Sequence, residues 1–367
     1  MQNAVYLNHA GTSWPKPPAV HEAVHDAMQS PPLDWAERFE RAHVAVAGFF
    51  GVRQPEHLLL TPGCTSSLAV ALADVDLGQN DRVLISAWEH HALHRPVQKR
   101  TDWKAEVLPA CKGEPFPLDR LEDSLRRGGV GLVAFTAASN VTGDRAPCRE
   151  IVELAHRHGA QVLIDAAQVV GWTRLDCESL GAEWIAFGGH KGLQSPWGIG
   201  GLYMSPSARM VCTSAECEIG SQGQAKRPSY CDVGSVDQVA LAGLHAAVGW
   251  LGSLDADEVR RNALTQIGRI ESALAALDDV VIFGGKAESR TPTVSFAING
   301  RTSSEVAKRF RDAGVVVGSG LQCSPLGHTH LKTETQGVVR LSVGIGQSHA
   351  EVDAALDRIT EVARSLS

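Results

Sequence analysis

The sequence IDAAQ at residues 164–168 closes an apolar strand with an acid, and GGHK at residues 188–191 follows a second apolar run. Because two short α/β segments separate Asp165 from Lys191, we expect both side chains at adjacent strand ends of one parallel sheet. This pair suits pyridoxal phosphate, since the lysine forms a Schiff base with the cofactor and the carboxylate pairs with the pyridinium nitrogen. A buried ion pair at a strand end is the alternative that these two residues alone leave open.

Apolar runs and helical patterns alternate through the first two-thirds of the chain. The strand-like runs lie at residues 58–61, 82–86, 105–108, 131–136, 161–165, 184–187 and 201–204. Helical patterns between them cover residues 37–50, 65–73, 118–127 and 149–158. This alternation predicts an α/β fold with a mostly parallel, seven-stranded type of sheet covered by helices, in which ligands bind beyond the carboxyl ends of the strands.

The composition changes after residue 220. Residues 220–228 are polar, contain glycine and show no periodicity, which predicts a long loop, and helical patterns follow at residues 238–252 and 256–277. Strands and helices then restart at about residue 280. The sequence therefore predicts a large domain at residues 21–252 and a smaller C-terminal α+β domain at residues 253–367.

Composition excludes several classes of function. The 367 residues are 44% hydrophobic and 20% charged, which is typical of a globular protein. A net charge of −7 argues against nucleic-acid binding, and no apolar run approaches the roughly 20 residues that span a bilayer. The first residues show neither a basic nor an apolar secretory signal. Because the eight cysteines form no C-x-x-C pair, we expect reduced thiols in a cytoplasmic protein and no metal site.

Three further segments place polar groups at strand ends. TPGCTSS at residues 61–67 joins a strand to a helix, where glycine and free N–H groups suit an anion, although an ordinary N-cap turn fits too. WEHHA at residues 88–92 puts His90 where its ring can lie over a flat ligand, and a solvent-facing helix start is the alternative. SNVTG at residues 139–143 puts Asn140 beyond another strand, where it could also be a simple turn residue.

Taken in order, these motifs resemble those of the class V aminotransferases, which are fold-type I pyridoxal phosphate enzymes, and within them the cysteine desulfurases and selenocysteine lyases. The resemblance runs from residue 6 to about residue 354. It implies that Lys191 forms the Schiff base, that His90 stacks on the pyridoxal ring and that Asp165 pairs with the ring nitrogen. The further cofactor contacts that it implies are those of Asn140 and Gln168 with the ring oxygen, those of Cys64, Thr65 and His190 with the phosphate, and that of Ser235 with the phosphate of the partner subunit in a homodimer.

The same resemblance assigns the substrate site. Arg340, in VVRLS at residues 338–342, matches an arginine that binds the α-carboxylate of an amino acid, and a planar guanidinium suits that task. Cys323, on the glycine-containing loop 318–326, matches a sulfur-accepting nucleophile, whereas an isolated cysteine is more often a small apolar residue. The opening YLNHAGTSWPKP at residues 6–17 also resembles this family. We therefore expect residues 1–20 to pack near the active site, with Asn8 and His9 toward the substrate.

Three positions depart from the family pattern. Gly188 stands where a serine is usual, Gly318 where an arginine is usual and Gln322 where a histidine is usual. These changes remove a serine hydroxyl that contacts the cofactor phosphate, one of two contacts with the substrate carboxylate, and a proton carrier beside the thiol. They leave open whether free cysteine is the substrate.

The resemblance predicts a cysteine desulfurase that converts L-cysteine, or a related sulfur or selenium amino acid, to alanine and a persulfide on Cys323. The alternative is a class V aminotransferase, epimerase or C–S lyase acting on another amino acid. A non-catalytic dimeric scaffold is a third interpretation, against which the retained site residues speak. The expected partners are an amino acid substrate, a second copy of the chain and a sulfur-acceptor protein, with neither nucleic acid nor membrane.

Overall fold

The computed structural model describes residues 4–111, 114–211, 218–219, 225–226 and 237–366. Its strands are β1 (Val5–Tyr6), β2 (Leu58–Thr61), β3 (Arg82–Ser86), β4 (Lys104–Leu108), β5 (Val130–Thr136), β6 (Gln161–Asp165), β7 (Trp184–Gly188), β8 (Gly200–Met204), β9 (Glu218–Ile219), β10 (Ala225–Lys226), β11 (Val280–Phe283), β12 (Thr293–Ile298), β13 (Val315–Val316), β14 (Gly318–Gly320) and β15 (Val338–Ser342). Its helices are α1 (Pro18–Gln29), α2 (Trp35–Phe49), α3 (Cys64–Asp74), α4 (His91–Lys99), α5 (Leu118–Arg126), α6 (Cys148–Arg157), α7 (Cys177–Leu180), α8 (Gln238–Gly252), α9 (Ala256–Ala275), α10 (Ser303–Asp312), α11 (Pro325–Leu331) and α12 (His349–Leu366).

The larger sheet has seven strands in the order β2-β8-β7-β6-β5-β3-β4. β8 is antiparallel to both of its neighbours, whereas the strands from β7 to β4 run parallel to one another. Every residue of β5, β6 and β7 is buried, because helices cover both faces of the sheet. Leu163 and Ile164, adjacent in β6, accordingly belong to different apolar clusters. The predicted α/β fold with a mostly parallel sheet is confirmed.

The strand register brings several strand ends to one edge of this sheet. Thr136 pairs with Asp165 and Asp165 with Ala186, while Gly200 pairs with both Gly188 and Thr61. The carboxyl ends of β2, β5, β6 and β7 therefore lie together, and the loops that follow them share one surface. This is where an α/β sheet binds its ligands.

A second sheet lies in the C-terminal part of the chain. Its four strands run antiparallel in the order β11-β12-β15-β14. α9 and α10 pack against this sheet, and α12 packs against α9, α10, β1 and β13. Buried side chains such as Phe296, Phe310 and Ile359 form its own apolar cluster. β1 pairs with β13, and Asn8 forms a bridge with Ser342, so the N-terminal segment is attached to this part of the protein. The domain boundaries at residues 20 and 252 stay predictions.

The helices of the described chain differ in length and hydropathy. None of them alone is long and apolar enough to cross a membrane, and α8 and α9, bent by 90°, meet the requirement only as a pair.

Candidate active site

A cavity of about 490 Å³ opens where the strand ends of the larger sheet meet the loop after β14. Ten of the residues predicted from the sequence lie on its wall: Cys64, Thr65, His90, Asn140, Asp165, Gln168, His190, Lys191, Cys323 and Arg340. Asn8 contacts one of these residues from behind, and His9 does not reach the wall. Ser235 lies outside the described residues. The sequence thus identified side chains that come from distant parts of the chain and meet at one site.

Asp165 is the last residue of β6 and is 4% exposed. Its Oδ1 atom accepts hydrogen bonds from the backbone N–H of Ala167 at 2.9 Å and from the Cys64 thiol at 3.3 Å. Burial and the adjacent carboxylate of Asp165 raise the pKa of Cys64 well above its ordinary value, so the thiol stays protonated and remains a donor. These two donors fix the orientation of the carboxylate at the base of the cavity.

Lys191 follows β7 in the short segment that begins with Gly189. Burial lowers the pKa of its amine, and the carboxylate of Asp165 opposes that effect. A lowered pKa increases the fraction of neutral amine, which is the form that attacks a carbonyl carbon. The pair predicted from the sequence therefore lies in one cavity, with the electrostatics that nucleophilic chemistry requires.

The end of the cavity near α3 suits an anion. Gly63 is the N-cap of α3, and a Cβ atom built there meets nothing within 4 Å, so the helix start is open to a ligand. His190 Nδ1 is buried and lacks a hydrogen-bond partner among the described residues. Burial and the positive charges of Lys191 and Lys16 lower the pKa of His190 to about 4, so a neutral ring faces this end. A phosphate group bound here would accept hydrogen bonds from the free N–H groups at the start of α3 and would lie near the unpartnered Nδ1 atom of His190.

Gly188, which replaces the usual serine, is not required by space. A Cβ atom at Gly188 would lie 3.5 Å from Cys64 Cβ, which is an ordinary contact. The absence of a hydroxyl there is thus a difference in chemistry and is not imposed by packing.

His90 is the N-cap of α4, and its Nδ1 atom accepts a hydrogen bond from the backbone N–H of Ala92 at 3.1 Å. Burial, followed by the charge of Lys191, lowers the pKa of His90 to about 4. The ring is therefore neutral at pH 7, and its proton resides on Nε2 because Nδ1 is the acceptor. A neutral imidazole held in one orientation suits stacking on a flat ring.

The amides of Asn140 and Gln168 hold the loops that surround the cavity. Asn140 Nδ2 donates to the carbonyl of Gln322 at 2.6 Å, and Gln168 Nε2 donates to the carbonyl of Ala10 at 3.1 Å. Because each amide nitrogen carries two protons, one remains for a ligand oxygen. The predicted role toward a ring oxygen is compatible with these contacts, which the sequence did not predict.

Arg340 lies in β15 with its guanidinium buried beside the cavity. Nη1 donates to the carbonyl of Asn140 at 2.6 Å and Nη2 to Oδ1 of Asn8 at 3.0 Å, while buried Nε has no partner among the described residues. Burial lowers the pKa of Arg340 to about 10, which still leaves a cation at pH 7. A cation with a spare donor beside the cavity can bind a carboxylate.

Gly318 pairs with Arg340 in the small sheet. A Cβ atom at Gly318 would lie 2.8 Å from Asn8 Oδ1 and 3.4 Å from Arg340 Nε. Any side chain at position 318 would thus collide with Asn8. Asn8 occupies the space from which an arginine at position 318 would extend.

Cys323 is exposed at the mouth of the cavity. Both Gln322 and Cys323 adopt the left-handed backbone region, with φ values of 40° and 59°, which costs side chains other than glycine about 1 kcal/mol or more. The loop is held in this conformation by three hydrogen bonds: Asn140 to the Gln322 carbonyl, His91 N–H to the Cys323 carbonyl at 2.8 Å, and Ser324 Oγ to the Trp88 carbonyl at 3.2 Å.

The sequence predicts that His9 lies toward the substrate, but in the structure His9 is absent from the cavity wall. Its ring packs against Gly344, where a Cβ atom would lie 2.2 Å from the ring, and its Nε2 atom is 3.2 Å from the Tyr6 carbonyl. His9 is 9% exposed, and burial lowers its pKa to about 4. Its ring therefore contributes packing and is absent from the cavity wall.

Two features of the site were missed in the sequence. Glu89, 0% exposed, lies next to His90 and accepts hydrogen bonds from Ser86 Oγ and from the Thr136 backbone N–H. Lys16 contacts the segment that leads to Lys191. The signals were present, since Glu89 is part of WEHHA and Lys16 part of WPKP, but no residue type in either motif reveals its partner.

Comparison with known proteins supports this description. The family model of aminotransferase class V matches residues 6–355. A probable cysteine desulfurase of Pseudomonas aeruginosa is 29% identical over 99% of this chain and 95% of its own length, and a cysteine desulfurase of Cronobacter sakazakii is 28% identical over 100% of this chain and 95% of its own length. The cysteine desulfurase CsdA of Escherichia coli, solved in an S-sulfonic acid form, has the same fold, with a TM-score of 0.88 at 23% identity over 100% of this chain and 96% of that chain.

Proposed function

Because the chain belongs to the aminotransferase class V family, we propose that it binds pyridoxal 5'-phosphate and acts as a cysteine desulfurase. It removes the sulfur of L-cysteine, or of a related sulfur or selenium amino acid, and leaves alanine and a persulfide on Cys323. The observation that carries this proposal is that Lys191, Asp165, Arg340 and Cys323 line a single cavity. The two relatives of similar length that are desulfurases by name support it.

The residues present fit the cofactor. The open start of α3 and the unpartnered Nδ1 atom of His190 suit its phosphate, and Asp165 suits its ring nitrogen. When bound, pyridoxal phosphate supplies a carbon that links to amines and a ring that stores the electrons released at the substrate α-carbon. The cavity of about 490 Å³ is large enough for a small ligand of this kind.

Lys191 and Arg340 prepare the substrate. The guanidinium of Arg340, on the cavity wall, binds the α-carboxylate and orients the α-carbon. Lys191 Nζ then accepts the α-proton, and its lowered pKa increases the fraction of neutral amine available for this step. His90 stays neutral and limits the position of the ring.

Cys323 performs the sulfur transfer. Its thiolate attacks the substrate sulfur, the bond from that sulfur to Cβ breaks, and a proton takes the place of the sulfur on Cβ. Cysteine and one thiol thus become alanine and one persulfide, with no other reactant consumed. The fixed loop around Gln322 keeps the Cys323 thiol at the cavity mouth, where a second thiol can later collect the sulfur.

The proposal also includes a second copy of the chain and a sulfur-acceptor protein. A homodimer rests on the resemblance of residues 231–235 to a segment that reaches the partner subunit, and these residues are outside the described part of the chain. A sulfur-acceptor protein follows from the persulfide, which has to be discharged before another turnover. The cytoplasmic location expected from the cysteine pattern is part of the same proposal.

The test is peptide mass spectrometry of the purified, cofactor-loaded protein after incubation with L-cysteine, together with an assay for alanine. We expect an added sulfur atom on Cys323 and one alanine per persulfide in the first turnover. Cys323→Ser should form no persulfide at position 323, and Lys191→Ala should lose the visible absorption band of the bound cofactor. Formation of alanine without the persulfide would indicate a lyase in place of a desulfurase. Formation of neither product would indicate an aminotransferase or an epimerase.

A further inference from the structure

The carbonyl oxygen of His190, in the peptide that leads directly to Lys191, is surrounded by donors from the N-terminal segment. Thr12 Oγ1 lies 3.0 Å from it, the Ser13 backbone N–H 3.0 Å and Ser13 Oγ 3.1 Å. Lys16 Nζ adds a fourth contact at 2.9 Å. A carbonyl oxygen has two lone pairs, so four donors at this distance restrict the rotation of the peptide plane from several directions.

Lys16 occupies an unusual position for a lysine. Its ammonium group is half-buried, donates to Ser13 Oγ at 2.6 Å and lies 5.5 Å from the centre of the Trp197 ring. Burial lowers the pKa of Lys16 to about 8, and no carboxylate among the described residues opposes that effect. Holding a cation away from water without a counter-charge is unfavourable, so the contacts of Lys16 with Ser13 and His190 must offset that cost.

The same segment also reaches the substrate end of the cavity. Asn8 Oδ1 accepts a hydrogen bond from Arg340, and the backbone of Ala10 is held by Gln168 and by Ser342 Oγ at 2.8 Å. Residues 8–16 therefore contact the small sheet at one end and the His190–Lys191 peptide at the other. These contacts at both ends restrict the movement of the segment that carries Lys16.

We propose that Lys16 is a positioning residue for Lys191: with Ser13 it fixes the His190–Lys191 peptide, so that the Lys191 amine points at the reactive carbon of the cofactor. The inference rests on the proposed function. Lys16 is absent from the wall of the cavity, so it acts through the His190 carbonyl and does not touch the cofactor.

The experiment measures how fast Lys191 bonds to the cofactor when pyridoxal phosphate is added to cofactor-free protein. The readouts are the rise of the visible absorption band and borohydride trapping followed by peptide mapping at Lys191. The variants are Lys16→Met, which removes the donor, Lys16→Arg, which retains it, and Ser13→Ala, which removes the hydroxyl between them. Lys104→Met, an exposed lysine in β4, is the matched control. Cofactor affinity without the covalent bond is measured in Lys191→Ala and in Lys191→Ala combined with Lys16→Met.

We expect Lys16→Met to slow the attachment about tenfold, Ser13→Ala to slow it about threefold, and Lys16→Arg and Lys104→Met to stay within about twofold of the wild type. The affinity in the Lys191→Ala background should not change with Lys16→Met. Unchanged attachment in both Lys16→Met and Ser13→Ala overturns the inference and leaves the proposed function intact. A loss of affinity in the Lys191→Ala background also overturns it, because Lys16 then acts on the phosphate. A wild-type protein that never bonds to the cofactor overturns the proposed function and this inference together.

Discussion

Asn140 Nδ2 donates a hydrogen bond of 2.6 Å to the carbonyl oxygen of Gln322, the residue before Cys323. The backbone carbonyl of Asn140 in turn accepts a hydrogen bond of 2.6 Å from Arg340 Nη1. One turn after β5 therefore holds both the loop with the exposed thiol and the guanidinium beside the cavity. Since 182 residues separate Asn140 from Gln322, this contact ties the two sheets together at the site where the chemistry takes place.

Asn140→Ala should release the loop that carries Cys323. Without the anchor, Gln322 and Cys323 lose support for their left-handed backbone, and a lost hydrogen bond of about 1 kcal/mol corresponds to about fivefold faster opening. Hydrogen exchange of residues 321–324 in the cofactor-free protein should rise by this factor. Gln168→Ala is the control, because it removes the other cavity amide but no contact with the loop. Equal exchange in the two variants would argue against the anchor.

Gly318→Ala should destabilise the protein through Asn8. The added Cβ atom would lie 2.8 Å from Asn8 Oδ1, so Asn8 has to leave Arg340, at a cost of about 1–3 kcal/mol. Asn8→Ala removes the obstacle, and the double variant should therefore lose about 1 kcal/mol less than the sum of the single variants in urea unfolding. Gly249→Ala in α8, where a Cβ atom meets nothing within 4 Å, should be neutral or stabilising. Strict additivity would show that the two positions do not interact.

The strands of the larger sheet could be predicted because central parallel strands are continuous apolar runs. The runs at residues 82–86 and 161–165 coincide with β3 and β6. The run at residues 58–61 coincides with β2, an edge strand whose residues are also all buried. The elements that were missed lack such a signal. α4 contains Pro96, which normally breaks a helix, and β14 reads Gly-Ser-Gly and becomes a strand only because β15 pairs with it.

Most of the candidate site could also be predicted, because most of the predicted wall residues stand in short motifs at the end of a strand or just beyond it. The contacts between motifs could not. His9 illustrates this limit. Its place in the N-terminal motif predicts access to the substrate, whereas in the structure its ring packs against Gly344 and is absent from the cavity wall. A motif specifies residue types and spacing, but the partner of a side chain depends on tertiary packing between segments that are hundreds of residues apart.

The described cysteines should differ in reactivity. Cys323 is exposed, whereas burial raises the pKa of Cys148 to about 12 and also raises that of Cys64 and Cys177. Since the thiolate is the reactive form, a brief pulse of iodoacetamide at pH 7.5 should label Cys323 at least about tenfold faster than these three, as read by peptide mapping. In urea the differences should disappear, which provides the internal control. Similar rates in the folded protein would contradict the burial seen here.

Glu89 should make stability fall as the pH rises. Burial raises its pKa to about 8, whereas a glutamate in an unfolded chain titrates near about 4.3. Between these values the folded state holds a proton that the unfolded state releases, so the stabilising contribution is complete below about pH 4.3 and is lost as the pH rises through about 8.

Glu89→Gln cannot titrate and keeps an oxygen for the hydrogen bonds from Ser86 and Thr136. Its free energy of unfolding, relative to the wild type, should therefore increase from pH 5 to pH 8, by at most about 1.4 kcal/mol per pH unit. Urea unfolding at pH 5, 6.5 and 8 measures this difference, and Glu361→Gln, an exposed position in α12, should show none. A difference between Glu89→Gln and the wild type that stays constant over this range would mean that Glu89 is ionised in the folded protein.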